Sequence, residues 1–114
     1  MSKIGFVEIP TRDLKASCEF YRKLFGWQCG IAREINYGFF YTGKGIGGGF
    51  SPNDEPGQGV VVYVETEDID GVLKRVEELG GEVAMPKTKV GEKHGFIGRF
   101  RDLHGNVIGL WSKT

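Results

Sequence analysis

Gly5-Phe6-Val7-Glu8-Ile9-Pro10-Thr11-Arg12-Asp13-Leu14 is answered, 55 residues on, by Val60-Val61-Val62-Tyr63-Val64-Glu65-Thr66-Glu67-Asp68-Ile69. Thr11 aligns with Thr66, Asp13 with Asp68, Leu24 with Leu79 and Gly26 with Gly81, without a gap. Each stretch runs into a helix-like segment, the first closing on Leu24-Phe25-Gly26-Trp27 and the second on Leu79-Gly80-Gly81-Glu82. An internal repeat constrains architecture before any single residue does, because each copy is one supersecondary unit.

Working outward from the first copy, residues 3–10 alternate. Ile4, Phe6, Glu8 and Pro10 fall on one face, and Gly5, Val7 and Ile9 on the other. This is a strand pattern. Thr11 or Asp13 can cap the helix that follows, where Leu14, Ser17, Cys18, Tyr21, Leu24 and Phe25 make one stripe that ends at Gly26. Residues 27–33, Asn36–Thr42 and Ile46–Phe50 read as three further strands. The second copy repeats the order: Val60–Glu65 as strand, a helix from Asp68 to Leu79 with stripe Ile69, Val72, Leu73, Val76 and Leu79, then strands Glu82–Thr88, Phe96–Arg101 and Val107–Trp111. Asp102-Leu103-His104-Gly105-Asn106 is rich in turn formers and joins the last two. The expected fold is α+β, one domain over residues 1–114. It is built from two βαβββ modules, 1–52 and 58–114, around a turn-rich linker at about 52–58.

The bulk properties exclude several classes. A chain of 114 residues suits a single domain. Its 15 basic and 15 acidic side chains cancel, which argues against a nucleic-acid or anionic-membrane surface. No apolar run approaches a membrane span, and the N-terminus lacks the apolar core of a signal peptide. A cytoplasmic protein is expected, with Cys18 and Cys29 as free thiols. Of the 19 glycines, seven lie between Gly43 and Gly59. The Gly43–Gly49 stretch formally matches G-x-G-x-x-G, but it precedes a strand instead of opening a helix, so it is no dinucleotide fingerprint. Glycines there allow a ligand or a facing backbone to approach closely.

A paired βαβββ chain of this length resembles the vicinal oxygen chelate superfamily, which holds glyoxalase I, bleomycin resistance proteins and extradiol dioxygenases. The marks are Asp13-Leu14, Phe20-Tyr21 and Leu24-Phe25-Gly26-Trp27 in the first half. In the second they are Leu79-Gly80-Gly81 and the run from Asp102 to Trp111. The opening Val7-Glu8-Ile9-Pro10-Thr11-Arg12-Asp13 and closing Gly105-Asn106-Val107-Ile108-Gly109-Leu110-Trp111 are similar to the glyoxalase-related subgroup. The resemblance implies an eight-stranded cupped sheet with helices outside, a small-molecule site in the cup, and a homodimer. It also implies a divalent metal held by His or Glu on strands 1, 4, 5 and 8. Carried over position by position, those ligands fall on Phe6, on Gly47, Gly48 or Gly49, on Val61 and on Gly109. Hydrocarbon and glycine offer no lone pair to a metal, so neither a metal at the usual site nor any other cofactor is expected.

What remains on the inward face is apolar and aromatic with a few polar groups, the usual make-up of a ligand pocket. Alternation places Phe6 and Glu8, Tyr63 and Glu65, and Gly109 and Trp111 together, with Gly48 on strand 4. Glu8 is a candidate general base, or else the partner of an arginine such as Arg99 or Arg101, or a carboxylate facing solvent at the open edge of the cup. Tyr63 and His94 are its candidate catalytic partners, and Phe6, Glu65, Gly48, Gly109 and Trp111 its candidate ligand-binding neighbours. His104 reads as a turn residue. The sequence thus points to a protein that binds a small apolar or aromatic metabolite without metal. The alternative is a metal-independent isomerase, epimerase or lyase using Glu8, related to lactoylglutathione lyase.

Overall fold

Both copies of the repeat open in the same way, with a strand that stops where an aspartate turns the chain into a helix. The computed structural model describes residues 2–55 and 59–114. Among them are eight strands and two α-helices. The first copy gives β1 (Ile4–Pro10), α1 (Leu14–Phe25), β2 (Gln28–Ala32), β3 (Tyr37–Tyr41) and β4 (Gly47–Ser51). The second gives β5 (Val61–Glu65), α2 (Ile69–Glu78), β6 (Glu82–Lys89), β7 (Phe96–Arg101) and β8 (Val107–Ser112). The fold is α+β, two βαβββ modules, with element boundaries within one or two residues of the sequence expectation. One element was not expected, a single 3₁₀ turn at Arg33–Ile35 before β3. Of the proposed linker, residues 56–58 lie outside the described residues.

The two helices start by the same chemistry. Asp13 Oδ1 accepts from the Ala16 amide at 3.0 Å, and Asp68 Oδ1 from the Gly71 amide at 3.0 Å. Each satisfies one of the amides a helix leaves unpaired at its start. Gly26 ends α1 in the left-handed region at φ 75°, its amide donating to the Arg22 carbonyl at 2.8 Å. Replacing Asp13 by alanine is expected to cost about 1 kcal/mol. Urea unfolding of Asp13→Ala beside Asp68→Ala measures this, and equal losses are expected because the caps are equivalent.

The chain divides into two compact units. The first, Gly5–Val61, has strand order β2-β3-β4-β1, with β1 parallel to β4 and the other neighbours antiparallel. Its core is aromatic. Tyr21 of α1 stacks on Phe50 at 5.3 Å, Trp27 on Phe40 at 4.7 Å, and Phe40 meets Phe50 at 5.0 Å. Leu14, Ser17, Cys18 and Tyr21 are the half-buried part of the α1 stripe, whereas Leu24 and Phe25 at its end are exposed. Cys18 and Cys29 are joined in a disulfide that ties α1 to β2. This corrects the expectation of free thiols. That expectation rested on compartment alone, while the helix turns back over β2 and brings the two Cα atoms to 5.7 Å.

The second unit, residues 2–4 with Val62–Thr114, has strand order β5-β8-β7-β6. Ile69, Leu73 and Leu110 form its buried core, with Val64, Val72, Val83, Phe96 and Phe100 packed around them. The Glu65 amide donates to the Lys3 carbonyl at 2.9 Å, which fastens the N-terminal residues to β5. In the β7–β8 turn the Asp102 carboxylate accepts from the side chain and amide of Asn106 and from the amide of His104. These bonds, the Asn106 side chain first, hold its carboxyl below the usual range. His104 is thereby a turn residue, as its sequence context implied.

Candidate functional site

Each unit has one sheet face packed under its helix and one that the helix does not cover. In the first unit, period-2 alternation sends Phe6 and Glu8 to the helix-free face. Glu8 lies opposite Gly49 of β4, and Gly49 opposite Phe39 of β3. Tyr37, two residues before Phe39, lays its ring across Gly49, where a Cβ would sit 2.1 Å from a ring carbon. With that space open, the Tyr37 hydroxyl reaches β1 and donates to Glu8 Oε2 at 2.7 Å. Glu8 is only 6% exposed. Burying a carboxylate costs several kcal/mol unless hydrogen bonds replace its water, to an order of magnitude, so this bond is part of what permits the position. The Tyr37 ring that reaches Glu8 belongs to an aromatic cluster with Phe6 and Phe39, with centroid separations of 6.4 Å for Phe6–Tyr37, 6.2 Å for Phe6–Phe39 and 5.0 Å for Tyr37–Phe39.

The second unit repeats this plan with its polarity changed. Tyr63 stands 55 residues after Glu8, and it lies opposite Gly109 of β8, which in turn lies opposite Arg99 of β7. A Cβ on Gly109 would come within 2.5 Å of the Tyr63 ring. Arg99 donates to the Tyr63 hydroxyl oxygen from Nε at 3.1 Å and from Nη2 at 2.8 Å. Tyr63 is 3% exposed. Trp111, beyond Gly109 on the same face, lies opposite Ile97 and Glu65. Its indole N–H donates to the His94 carbonyl at 2.8 Å, which fixes the backbone of His94 against β8. Glu65 sits at the strand end in a 3.9 Å ion pair with Lys3, its side chain 44% exposed.

The structure therefore gathers Phe6 and Glu8 on one face, and Tyr63, Gly109 and Trp111 on another. Gly48 faces the other way. Its missing side chain makes room for the Val7 carbonyl and the Phe40 ring beneath the helix, and the glycine beside Glu8 is Gly49. Tyr37, Phe39 and Arg99 complete the two clusters. Alternation within Asn36–Thr42 puts Tyr37 and Phe39 on one face, yet only the strand register shows that a tyrosine there spans β4 to reach β1. Arg101, the other arginine considered for Glu8, pairs with Glu82 at 3.9 Å.

The family model for the glyoxalase/bleomycin resistance protein/dioxygenase superfamily matches residues 3–110. The chain belongs to that superfamily. Within it, the anthracycline biosynthesis protein DnrV of Streptomyces peucetius is 31% identical over 129 aligned residues, covering 96% of this chain and 46% of DnrV. The putative glyoxylase CFP32 of Mycobacterium tuberculosis is 28% identical over 94% of this chain and 44% of its own. The chain thus spans about half the length of the curated relatives it matches. A crystal structure of a superfamily member from Vibrio splendidus superposes with a TM-score of 0.71 at 14% identity, covering 100% of both chains. Methylmalonyl-CoA epimerase from Mycobacterium tuberculosis gives 0.67 at 15% identity, covering 97% of this chain and 87% of the epimerase. These likenesses establish the fold.

The positions to which the resemblance carries the superfamily's metal ligands offer no donor side chain here. The four positions carry Phe6, a glycine of β4, Val61 and Gly109. Among the described residues, no three of His, Cys, Asp and Glu gather where they could hold a metal ion. Among the described residues, the helix-free faces hold a carboxylate bonded to a phenol, and a phenol bonded to a guanidinium.

Proposed function

We propose that this superfamily member binds a small apolar or aromatic molecule without a metal, with Glu8 as the group that fixes the ligand's polar end. The observation carrying this reading is a carboxylate 6% exposed, bonded to Tyr37, whose ring clusters with Phe6 and Phe39, on a face no helix covers. Apolar walls with few placed polar groups are how ligand sites combine affinity with orientation. The kinship with an anthracycline biosynthesis protein agrees with an aromatic ligand. Thermal-shift screening with neutral phenols and anilines tests it. Binding is expected with wild type and at least about tenfold weaker with Glu8→Gln, because a hydrogen bond to a charged acceptor contributes about 1.5–3 kcal/mol. Equal binding by both proteins would remove Glu8 from the site.

The same carboxylate favours a second reading, a metal-independent isomerase, epimerase or lyase in which Glu8 takes a proton from carbon. A general base of this kind supplies about 10²–10⁴ in rate. Deuterium wash-in at the α-carbon of methylmalonyl-CoA, a probe chosen for the acidity of that C–H, is the measurement. Exchange should fall about 100-fold in Glu8→Gln, and an unchanged rate would end the reading. We further propose a homodimer, since the relatives are about twice this chain's length and a second copy would supply a matching pair of modules. Native mass spectrometry should show twice the monomer mass.

A further inference from the structure

We infer that the C-terminal end of α1 in one copy of this chain docks on the C-terminal end of α2 in a second copy, apolar tip on apolar tip and basic rim on acidic rim. This rests on the proposed homodimer and names its surface. Every charged side chain of α1 is answered 55 residues on by one of opposite sign: Lys15 by Asp70, Glu19 by Lys74, Arg22 by Glu77 and Lys23 by Glu78. The repeat has kept the aspartate cap and the apolar stripe of each helix and inverted the outer charges. α1 therefore ends on Arg22-Lys23 and α2 on Glu77-Glu78, all four exposed. Cations suit the C-terminal end of a helix, where the backbone dipole is negative, and carboxylates do not. Glu77 and Glu78 thus stand where they cost α2 stability, and cations from a second copy would offset that cost.

Beside these charges stand apolar side chains that the chain itself does not cover. On α1, Phe20, Leu24 and Phe25 are 60%, 57% and 60% exposed, and in the second unit Leu79 and Leu103 are 61% and 70% exposed. Leu24 and Leu79 are repeat-related. Gly80, the counterpart of Phe25, has no side chain, and Leu103 of the β7–β8 turn lies 3.3 Å from where its Cβ would be. The α1 rings are held from behind. Phe20 meets Tyr21 edge-on at 5.2 Å, Tyr21 lies 6.3 Å from Phe25, and Phe25 lies 5.3 Å from Trp27. Rings braced in this way lose little freedom on docking. Apolar surface rimmed by charge is the make-up of a protein contact. The charges decide the partner. An anionic lipid surface would repel Glu77-Glu78, and α1 set on a second α1 would bring Arg22-Lys23 against itself, so the unlike ends are the ones that match. Each copy carries one end of each sign, so a pair of copies can make the contact twice, doubling its area toward the roughly 1,200 Å² of a stable interface.

Sedimentation equilibrium of the full chain tests the contact through a charge swap. One variant carries Arg22→Glu with Lys23→Glu, the other Glu77→Lys with Glu78→Lys. Each alone should self-associate at least about tenfold more weakly than wild type, because like charges then face each other. An equimolar mixture of the two should return to within about threefold of wild type, since every contact between unlike variants again joins opposite charges. Leu24→Ser and Leu79→Ser probe the apolar tips without charge. Both side chains are more than half exposed, so each variant should keep its melting point within about 2 °C and still associate about tenfold more weakly. Wild-type association in either charge variant alone, or a mixture as weak as its components, would overturn the contact while leaving the homodimer in place. A wild-type chain that stayed monomeric at every concentration would end both.

Discussion

Gly48→Ala should melt well below wild type, by about 12 °C or more, as the largest single-methyl effect in the chain. An added Cβ would sit 2.1 Å from the Val7 carbonyl oxygen and 2.4 Å from Phe40 Cζ. Neither obstacle can move cheaply. Val7 is the β1 residue paired with Gly48, and Phe40 is 4% exposed in the aromatic core, paired with Gly48 from the other side. Overpacking of this kind costs about 3 kcal/mol at the upper end of its usual range, against a total stability of about 5–15 kcal/mol. At about 4 °C for each kcal/mol in a domain of this size, the shift follows. Alanine also narrows the unfolded ensemble, which returns only about 0.4–1 kcal/mol. Gly30→Ala on β2 is the internal control. Nothing lies within 4 Å of a Cβ there, and its melting point should stay within about 2 °C of wild type. Circular dichroism melts of the two variants decide it. If Gly48→Ala melted with wild type, β1, β3 and β4 could not have this register.

The same glycines show how far the sequence could be read. Close backbone approach in Gly47-Gly48-Gly49 was legible, because a strand with no side chains has little other use. Which glycine serves the core and which serves the site was not, since that depends on register. Gly48 turns toward Phe40 and Gly49 toward Tyr37. Glu8 stood out as a charge at a period-2 apolar position, and its 6% exposure agrees with that pattern. Its partner Tyr37 is 29 residues away and two strands over, a contact set by side-chain length across an empty position. Arg99 lay on a strand whose position was anticipated, but it meets Tyr63 because the Tyr63 ring lies over Gly109 in the same way. The helices were legible through their stripes and aspartate caps, except that the stripes overrun the packed surface. Repeat-related Leu24 and Leu79 both continue the apolar spacing, and both are more than half exposed. Periodicity registers which face is apolar, and not how many turns the sheet beneath can cover.

Reduction of the protein should cost about 3 kcal/mol and lower the melting point by roughly 10 °C. Cys18 and Cys29 are 11 residues apart, and closing a loop of that length removes about that much entropy from the unfolded chain. The loss should be felt locally first. β2 is paired on one side only, to β3, and stands at the end of the strand order of its unit. The disulfide is the covalent tie between that edge strand and α1, so the amides of Gln28–Ala32 should exchange faster after reduction while those of the second unit keep their protection. Three measurements check this together: thiol titration in denaturant, expected to find no thiol before reduction and two after; thermal melts with and without reductant; and hydrogen exchange resolved by segment. Cys18→Ser with Cys29→Ser should reproduce the reduced protein. Two reactive thiols in freshly purified protein, with a melting point indifferent to reductant, would restore the free cysteines expected from compartment. The bond would then not form in solution, and α1 would rest on the sheet by the packing of Leu14, Cys18 and Tyr21 alone.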